Sequence, residues 1–301
     1  MVIKVALAGA TGNLGPAILK ELLDAGFEVT ILSRIGSNST DSLPKHSNQK
    51  IVKVDYTDVK GLTTAFQGIE AVVASLTESA FVVQKPLIDA AVAAGVKRFI
   101  PSEFGADRTN LLNQNLPVFK GKLDTTRYLE QISASNPSFT YTLPNNNLFF
   151  DWGFRVGFIL NTNEHKATLY DGGDVPFSMT RLSTIGKAVV GILNNQEATK
   201  NRNVLFHDTA RSLNQLIGIV KEIDGKEWVT EIKPTAEIER EAYAEMQKEN
   251  PSIEKAMYGF LTRAAYCEDH QPDFTSQAEN KLLGIPELSQ QEVIEVVKGL
   301  L

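Results

Sequence analysis

The sequence predicts an α/β protein built on a doubly wound parallel sheet, with a smaller C-terminal region beside it. Three observations predict it. Short apolar runs alternate with helix-length segments through the first half of the 301 residues. Two of those runs, VALA and AVVA, are apolar at every position, as strands covered on both faces must be. A glycine-rich loop, Gly9-Ala-Thr-Gly12-Asn-Leu-Gly15, stands between the first run and the first helical segment.

In chain order, strands are expected at residues 3–7, 28–32, 50–54, 71–75, 98–101 and 141–143. Helices are expected at 16–25, 58–66, 84–94 and 118–132, each long enough for a right-handed crossover. Pro16 suits a first helical turn, where its missing N–H is not needed. After Asn145 the pattern changes, with Phe149, Phe150, Trp152 and Phe154 crowded together and turn signals at Asp171, Gly172 and Gly173. Residues 204–207 read as one more strand, placed to return to the first sheet, and helical patterns follow at 213–223, 236–249 and 290–300. The expected organisation is thus a nucleotide-binding domain over 1–150 and a mainly helical substrate region over 151–301, not divided by a single cut.

Composition narrows the class. Hydrophobic residues make up 43% and charged residues 22%, an ordinary globular mixture. With 36 acidic against 30 basic side chains and no long basic run, phosphate-driven nucleic-acid binding is disfavoured. The one cysteine, Cys267, cannot form an internal bridge, in keeping with a reducing compartment. His46, His165, His207 and His270 are scattered without metal-ligand spacing, so no metal is expected. The apolar N-terminus runs straight into the glycine loop without a basic leader, and no apolar run nears the roughly 20 residues that span a bilayer. A soluble cytoplasmic protein is the expectation; oligomeric state is not legible.

The glycine loop carries the first functional inference. Glycines let the backbone turn sharply and approach a pyrophosphate, while the following helix presents unpaired N–H groups and a partial positive charge. Gly9, Thr11, Gly12, Asn13, Leu14 and Gly15 are therefore candidate dinucleotide contacts. The spacing is Gly-x-x-Gly-x-x-Gly rather than Gly-x-Gly-x-x-Gly, so the strand before and the helix after are what support it. At the end of the second strand, where NAD-binding chains place a carboxylate on the adenosine ribose, this one has Arg34. A guanidinium there can fork onto a 2'-phosphate, which favours NADP(H), on a nucleotide-binding sheet of Rossmann type. Asp55 is placed either to accept from the adenine amino group or to cap the next helix. Ala74 and Ser75 end the fourth strand, and Ser102, Glu103 and Phe104 follow the fifth, all at the carboxyl edge where ligands enter such sheets.

An ordinary short-chain dehydrogenase carries a tyrosine four residues before its catalytic lysine. Here Lys122 is preceded at that spacing by Val118 and Lys120 by Leu116, so proton transfer needs another arrangement. A lysine on this helix can face the Ser102-Glu103-Phe104 edge, where partial desolvation suits it to general acid or base work; a surface ion-pairing lysine is the competing reading.

Together these residues resemble the isoflavone reductase and NmrA-like family of atypical short-chain dehydrogenases, over most of the chain. The densest part is QKPLIDAAVAAGVKRFIPSEFG, residues 84–105. Reductases of that family carry Phe-x-x-Lys-x-x-(Ile/Val)-Arg-Arg-x-(Ile/Val)-Glu; this chain reads Phe119-Lys-Gly-Lys122-Leu-Asp-Thr-Thr126-Arg127-Tyr-Leu-Glu130. That register implies Lys122 as the catalytic lysine, also a cofactor contact. Thr126 replaces the first arginine, which reads as a surface departure of small functional weight. The stretch FTYTLPNNNLFFDW, residues 139–152, departs from the plant enzymes and is similar to fungal members. Asn145 is a candidate nicotinamide-side contact, and Phe104, Asn147, Phe149 and Phe150 are candidate substrate contacts, although an aromatic cluster also suits a core.

The resemblance implies an NADPH-dependent reductase of a small aromatic or conjugated metabolite, with Lys122 as general acid or base. Two rivals stay open: a regulatory NADP(H) sensor with a protein partner, and a non-redox isomerase or cyclase on the same scaffold.

Overall fold

The computed structural model describes residues 3–77 and 80–301. The apolar runs become strands β1 (Lys4–Ala8), β2 (Glu28–Arg34), β3 (Gln49–Val54), β4 (Ala71–Ala74), β5 (Arg98–Ile100) and β6 (Thr140–Asn145). They alternate with α1 (Gly15–Asp24), α2 (Val59–Ala65), α3 (Ala80–Ala93), the short α4 (Leu111–Asn115) and α5 (Lys120–Ser135), which a 3-10 turn at Pro117–Phe119 precedes. The second half contributes β7 (Leu148–Phe149), α6 (Phe150–Arg155), β8 (Lys166–Tyr170), β9 (Phe177–Thr180), α7 (Leu182–Asn194), α8 (Gln196–Thr199), β10 (Arg202–Leu205) and β11 (Thr209–Arg211). It ends with α9 (Leu213–Asp224), β12 (Val229–Lys233), α10 (Thr235–Met246), α11 (Ile253–Tyr266), α12 (Asn280–Leu283) and α13 (Gln290–Lys298).

Seven strands form one parallel sheet in the order β10-β6-β5-β4-β1-β2-β3. The chain winds outward from β1 through β2 to β3, then restarts at β4 and winds the other way. The break between β1 and β4 is where such a sheet opens a ligand crevice at its carboxyl edge. Alternation decides what covers each face. Val5 and Leu7 of β1 pack with Ile18, Leu19 and Leu22 of α1 and Ile185, Val189 and Ile192 of α7. Ala6 and Ala8 face the opposite core, shared with Leu62 of α2, Leu87 and Ile88 of α3 and Leu129 of α5.

Pro144 sits inside β6 without breaking it. Thr140 N donates to Lys97 O while Asn201 N donates to Tyr141 O, so even positions face β5 and odd ones face β10. Pro144 therefore faces the β5 side, beyond the end of the paired register at Phe99–Tyr141, where no donor is required. Beneath this edge lies Arg98, 1% exposed, whose nitrogens donate to the hydroxyls of Thr140, Thr142 and Thr199 and to Gln196 O. Burial lowers its pKa to about 10, still a cation at neutral pH.

The second half is helical with two small sheets, β11-β9-β7 and β12-β8, over a core that includes Phe154, Phe177, Leu216 and Tyr266. Its entry is fixed by Asp151, which accepts from Leu182 N at 3.2 Å and so caps α7. Among the described residues no helix is long and apolar enough to cross a membrane, and no three His, Cys, Asp or Glu side chains converge as metal ligands.

Candidate active site

The three loop glycines have different reasons to be glycine. Gly9 has φ +86°, and a Cβ there would run into the carbonyl oxygen of Ser75 at the end of β4. A Cβ on Gly15 would strike the Gly9 carbonyl. Gly12 has no such neighbour: its Cβ would meet Gly9 O at 3.5 Å and Ser75 O at 3.9 Å, ordinary contacts. Gly9 and Gly15 are thus demanded by the fold, whereas no neighbour among the described residues requires glycine at position 12. Leu14 is a core residue whose carbonyl starts α1 by accepting from Ala17 N and Ile18 N. Among the described residues no side chain caps α1 and no acid lies in its first turn, so its N-terminal N–H groups and positive dipole end face the loop. Exposed Thr11 and Asn13 flank the same opening. This set fits a dinucleotide pyrophosphate.

Arg34 is exposed at the end of β2. Behind it Ser37 and Ser39 share a hydrogen bond at 2.9 Å, and Thr11 Oγ1 donates to Ser39 Oγ at 3.3 Å, tying the β2 loop to the glycine loop. A second cation stands there that sequence reading missed. Lys53, the register partner of Ser33, donates to Ser33 Oγ at 3.1 Å and to Ser37 O. The cue was available only through strand pairing. Asp55 is not a helix cap: it accepts from Thr57 N and Oγ1 at 2.8 and 2.7 Å, which holds its pKa below the usual carboxylate value, and Asp58 caps α2 instead. Asp55 is exposed just past the end of β3. Burial raises neighbouring Tyr56 to about 12, with Arg34 opposing the rise.

Across the switch point, Ala74 is buried and Ser75 follows it into the loop interface. Ser102 spends its hydroxyl on the backbone of Leu76, donating to Leu76 O at 2.7 Å and accepting from Leu76 N at 3.0 Å. Its own N–H donates to Gln84 Oε1 at 2.7 Å. Ser102 is therefore a strut joining the ends of β4 and β5, and buried Gln84 on α3 supports it. Phe104 has φ +27°, a left-handed backbone that costs a non-glycine residue about 1–2 kcal/mol. Its buried ring packs in the cluster that holds Leu14, with Phe149 and Trp152 against the edge.

Lys122, half-buried on the first turn of α5, donates from Nζ to the carbonyl oxygen of Glu103. The Glu103 carboxylate is 1% exposed and pairs with Arg108 Nη2 at 2.9 Å. Thr126, one turn after Lys122, donates to Glu103 Oε1 at 3.3 Å and is buried, which corrects its reading as a surface departure. Sequence reading also missed Arg108, since nothing local marks it.

Two candidate substrate contacts are corrected. Phe150 is fully buried and packs on Phe154 with ring centres 5.6 Å apart, in the core rather than the wall; Phe149, one residue earlier, is half-exposed and edge-on to Trp152. The Asn147 amide donates to Pro272 O at 2.9 Å, and its backbone N–H holds Gly105 O. Asn145, fully buried, donates to Ala106 O at 2.8 Å. Both asparagines brace the 105–106 turn from behind.

Comparison with known proteins bears on the family and the fold. The model of the NmrA-like family matches residues 1–258. The chain is 31% identical over 303 residues to oxidoreductase aprR of Aspergillus flavus, covering 99% of this chain and 100% of that protein. It is 26% identical over 264 residues to the bifunctional pinoresinol-lariciresinol reductase of Linum album, covering 82% of this chain and 79% of that one. In three dimensions it superimposes on leucoanthocyanidin reductase of Vitis vinifera, solved with NADPH, with a TM-score of 0.78 at 20% identity over 99% of each chain, a likeness of fold.

Proposed function

Because the chain belongs to the NmrA-like family, we propose that it is an NADPH-dependent reductase of a small aromatic or conjugated metabolite. The observation that carries the reading is the juxtaposition across the β1–β4 break. On one side lie the uncapped start of α1 and the open face of Gly12; on the other, Lys122 is anchored on Glu103 O at the carboxyl edge. Relatives bearing the names oxidoreductase and pinoresinol-lariciresinol reductase support the reaction and the substrate class.

Gly12 and the N–H groups opening α1 hold the pyrophosphate, and Arg34, with Lys53 nearby, takes the 2'-phosphate as a forked charged contact. Bound there, NADPH supplies a hydride from its nicotinamide. Lys122 delivers or relays the proton from Nζ, the ammonium being steered by the Glu103 carbonyl. Phe149 and Trp152, backed by the buried Phe104, form the apolar side on which a flat substrate rests and from which water is excluded. Residues 1–150 thus carry the cofactor, and the substrate wall straddles the boundary with 151–301, Phe104 and Phe149 lying before it and Trp152 after it. The lone buried Cys267 is in keeping with the reducing cytoplasm we assign to the protein.

The test is to incubate the protein with NADPH and a panel of enones, quinones, aromatic ethers and lignans, following cofactor absorbance and product mass together. Coupled NADPH oxidation and reduced product are expected. Product without cofactor oxidation, or tight NADPH binding with no turnover on the panel, overturns the reading.

A further inference from the structure

Two arginines are deeply buried beside this sheet, and they are used differently. Arg98 has its nitrogens bonded to three hydroxyls and a carbonyl, the pattern of a hydrogen-bonding scaffold. Arg108 makes one hydrogen bond, to the Glu103 carboxylate, while its Nε and Nη1 have no hydrogen-bond partner among the described residues. Its guanidinium lies 4.1 Å from the centre of the Phe119 ring. An arginine so placed serves as a fixed charge rather than as a donor array. Burial presses its pKa down, and Glu103 first, then Asp107, opposes that.

The charge acts on Glu103, and Glu103 acts on Lys122. The carboxylate is gripped from both sides, by Arg108 and by Thr126 on α5, and the carbonyl of the same residue receives Lys122 Nζ. The α5 side chain on this carboxylate is a threonine, and the guanidinium comes from the loop after β5. We propose that Arg108 is a positioning residue: it clamps and neutralises the buried Glu103 carboxylate, so that Glu103 presents its carbonyl to Lys122 and fixes where the ammonium stands. The proposal rests on the reading of Lys122 as the proton donor. Besides Lys122, the charged groups on the segments that build this network are Glu103, Asp107 and Arg108 on the loop after β5, Lys120, Asp124, Arg127 and Glu130 on α5, and Lys85 and Asp89, paired at 2.8 Å, on the adjoining α3. Lys120 and Asp124 pair with each other at 2.7 Å, and α4 and the Pro117–Phe119 turn carry no charge.

The experiment titrates Lys122 in the full chain by competitive acetylation across pH, with the modified peptide quantified by mass spectrometry and no substrate present. In Arg108→Met the uncompensated carboxylate lies within the residue that anchors Lys122, so the Lys122 midpoint rises by about one to three pH units. Arg108→Lys restores much of the original midpoint. Should Arg108→Met fail to fold, the neutral pair Glu103→Gln with Arg108→Met reads the same question: its Lys122 midpoint stays at the wild-type value if Arg108 already cancels Glu103. An unchanged midpoint in folded Arg108→Met, or a fall in the double variant, overturns the proposal. Because the readout needs no turnover, absence of NADPH oxidation would count against the proposed reaction and leave this result standing.

Discussion

Replacing the loop glycines one at a time separates fold from ligand. At Gly12 a new side chain meets its neighbours at 3.5 and 3.9 Å, and the residue is exposed, so Gly12→Val should change stability by less than about 1 kcal/mol. Its melting temperature should stay within about 2–4 °C of wild type. The branched side chain instead fills the approach to the α1 N-terminus. If it displaces the pyrophosphate from two backbone N–H groups, each worth about 1.5–3 kcal/mol toward a charged partner, NADPH affinity falls by at least about two orders of magnitude. Gly9→Ala behaves in the opposite sense. It places Cβ on the Ser75 carbonyl at φ +86°, which combines overpacking of about 1–3 kcal/mol with a left-handed penalty of about 1–2 kcal/mol. Melting should fall by roughly 5–15 °C. The assays are thermal melting without ligand and fluorescence titration with NADPH. A Gly12→Val protein that melts like Gly9→Ala, or that binds NADPH normally, would refute the division of labour.

Arg34→Ala should remove most of the preference for NADPH over NADH, about 1.5–3 kcal/mol, measured as the ratio of the two dissociation constants; equal affinities in the unmodified protein would refute the 2'-phosphate assignment. Lys122→Ala should slow single-turnover reduction about 100-fold or more while NADPH affinity falls much less, and an unchanged rate would end its role in proton transfer. His270, buried with Nδ1 at 2.7 Å from Asn113 Oδ1, has its pKa pushed down to about 4 by burial, with Arg263 adding to the effect. The unfolded chain therefore takes up this proton first, and stability should decline as pH falls from about 6.5 to 4. Urea midpoints across that range should flatten in part in His270→Gln; identical slopes would contradict the assignment.

The parts of the site that were legible in the sequence are those written contiguously. The glycine loop follows the all-apolar VALA run, Arg34 closes the strand that begins at Glu28, and Lys122 is picked out by the motif that the family resemblance supplies. What was illegible depends on convergence. Lys53 reaches the Arg34 loop through the β2–β3 register, and Arg108 meets Glu103 and Thr126 only when the loop after β5 folds against α5. Phe149 and Phe150 look interchangeable in the chain, yet α6 begins between them and turns one ring to the wall and the other into the core. Helix α7, whose apolar face completes the core over α1, was missed together with the short strand β9 that leads into it.

The central claim is hydride delivery from a cofactor held on the glycine loop, and it is tested most directly with NADPH carrying deuterium at the transferable nicotinamide position. Lignans, enones and quinones are supplied at saturation, and product and cofactor are analysed by mass spectrometry. The account predicts a reduced product carrying the deuterium, formed in proportion to the NADPH consumed, and loss of that transfer in Gly12→Val. Product that forms without label while NADPH remains intact would contradict it.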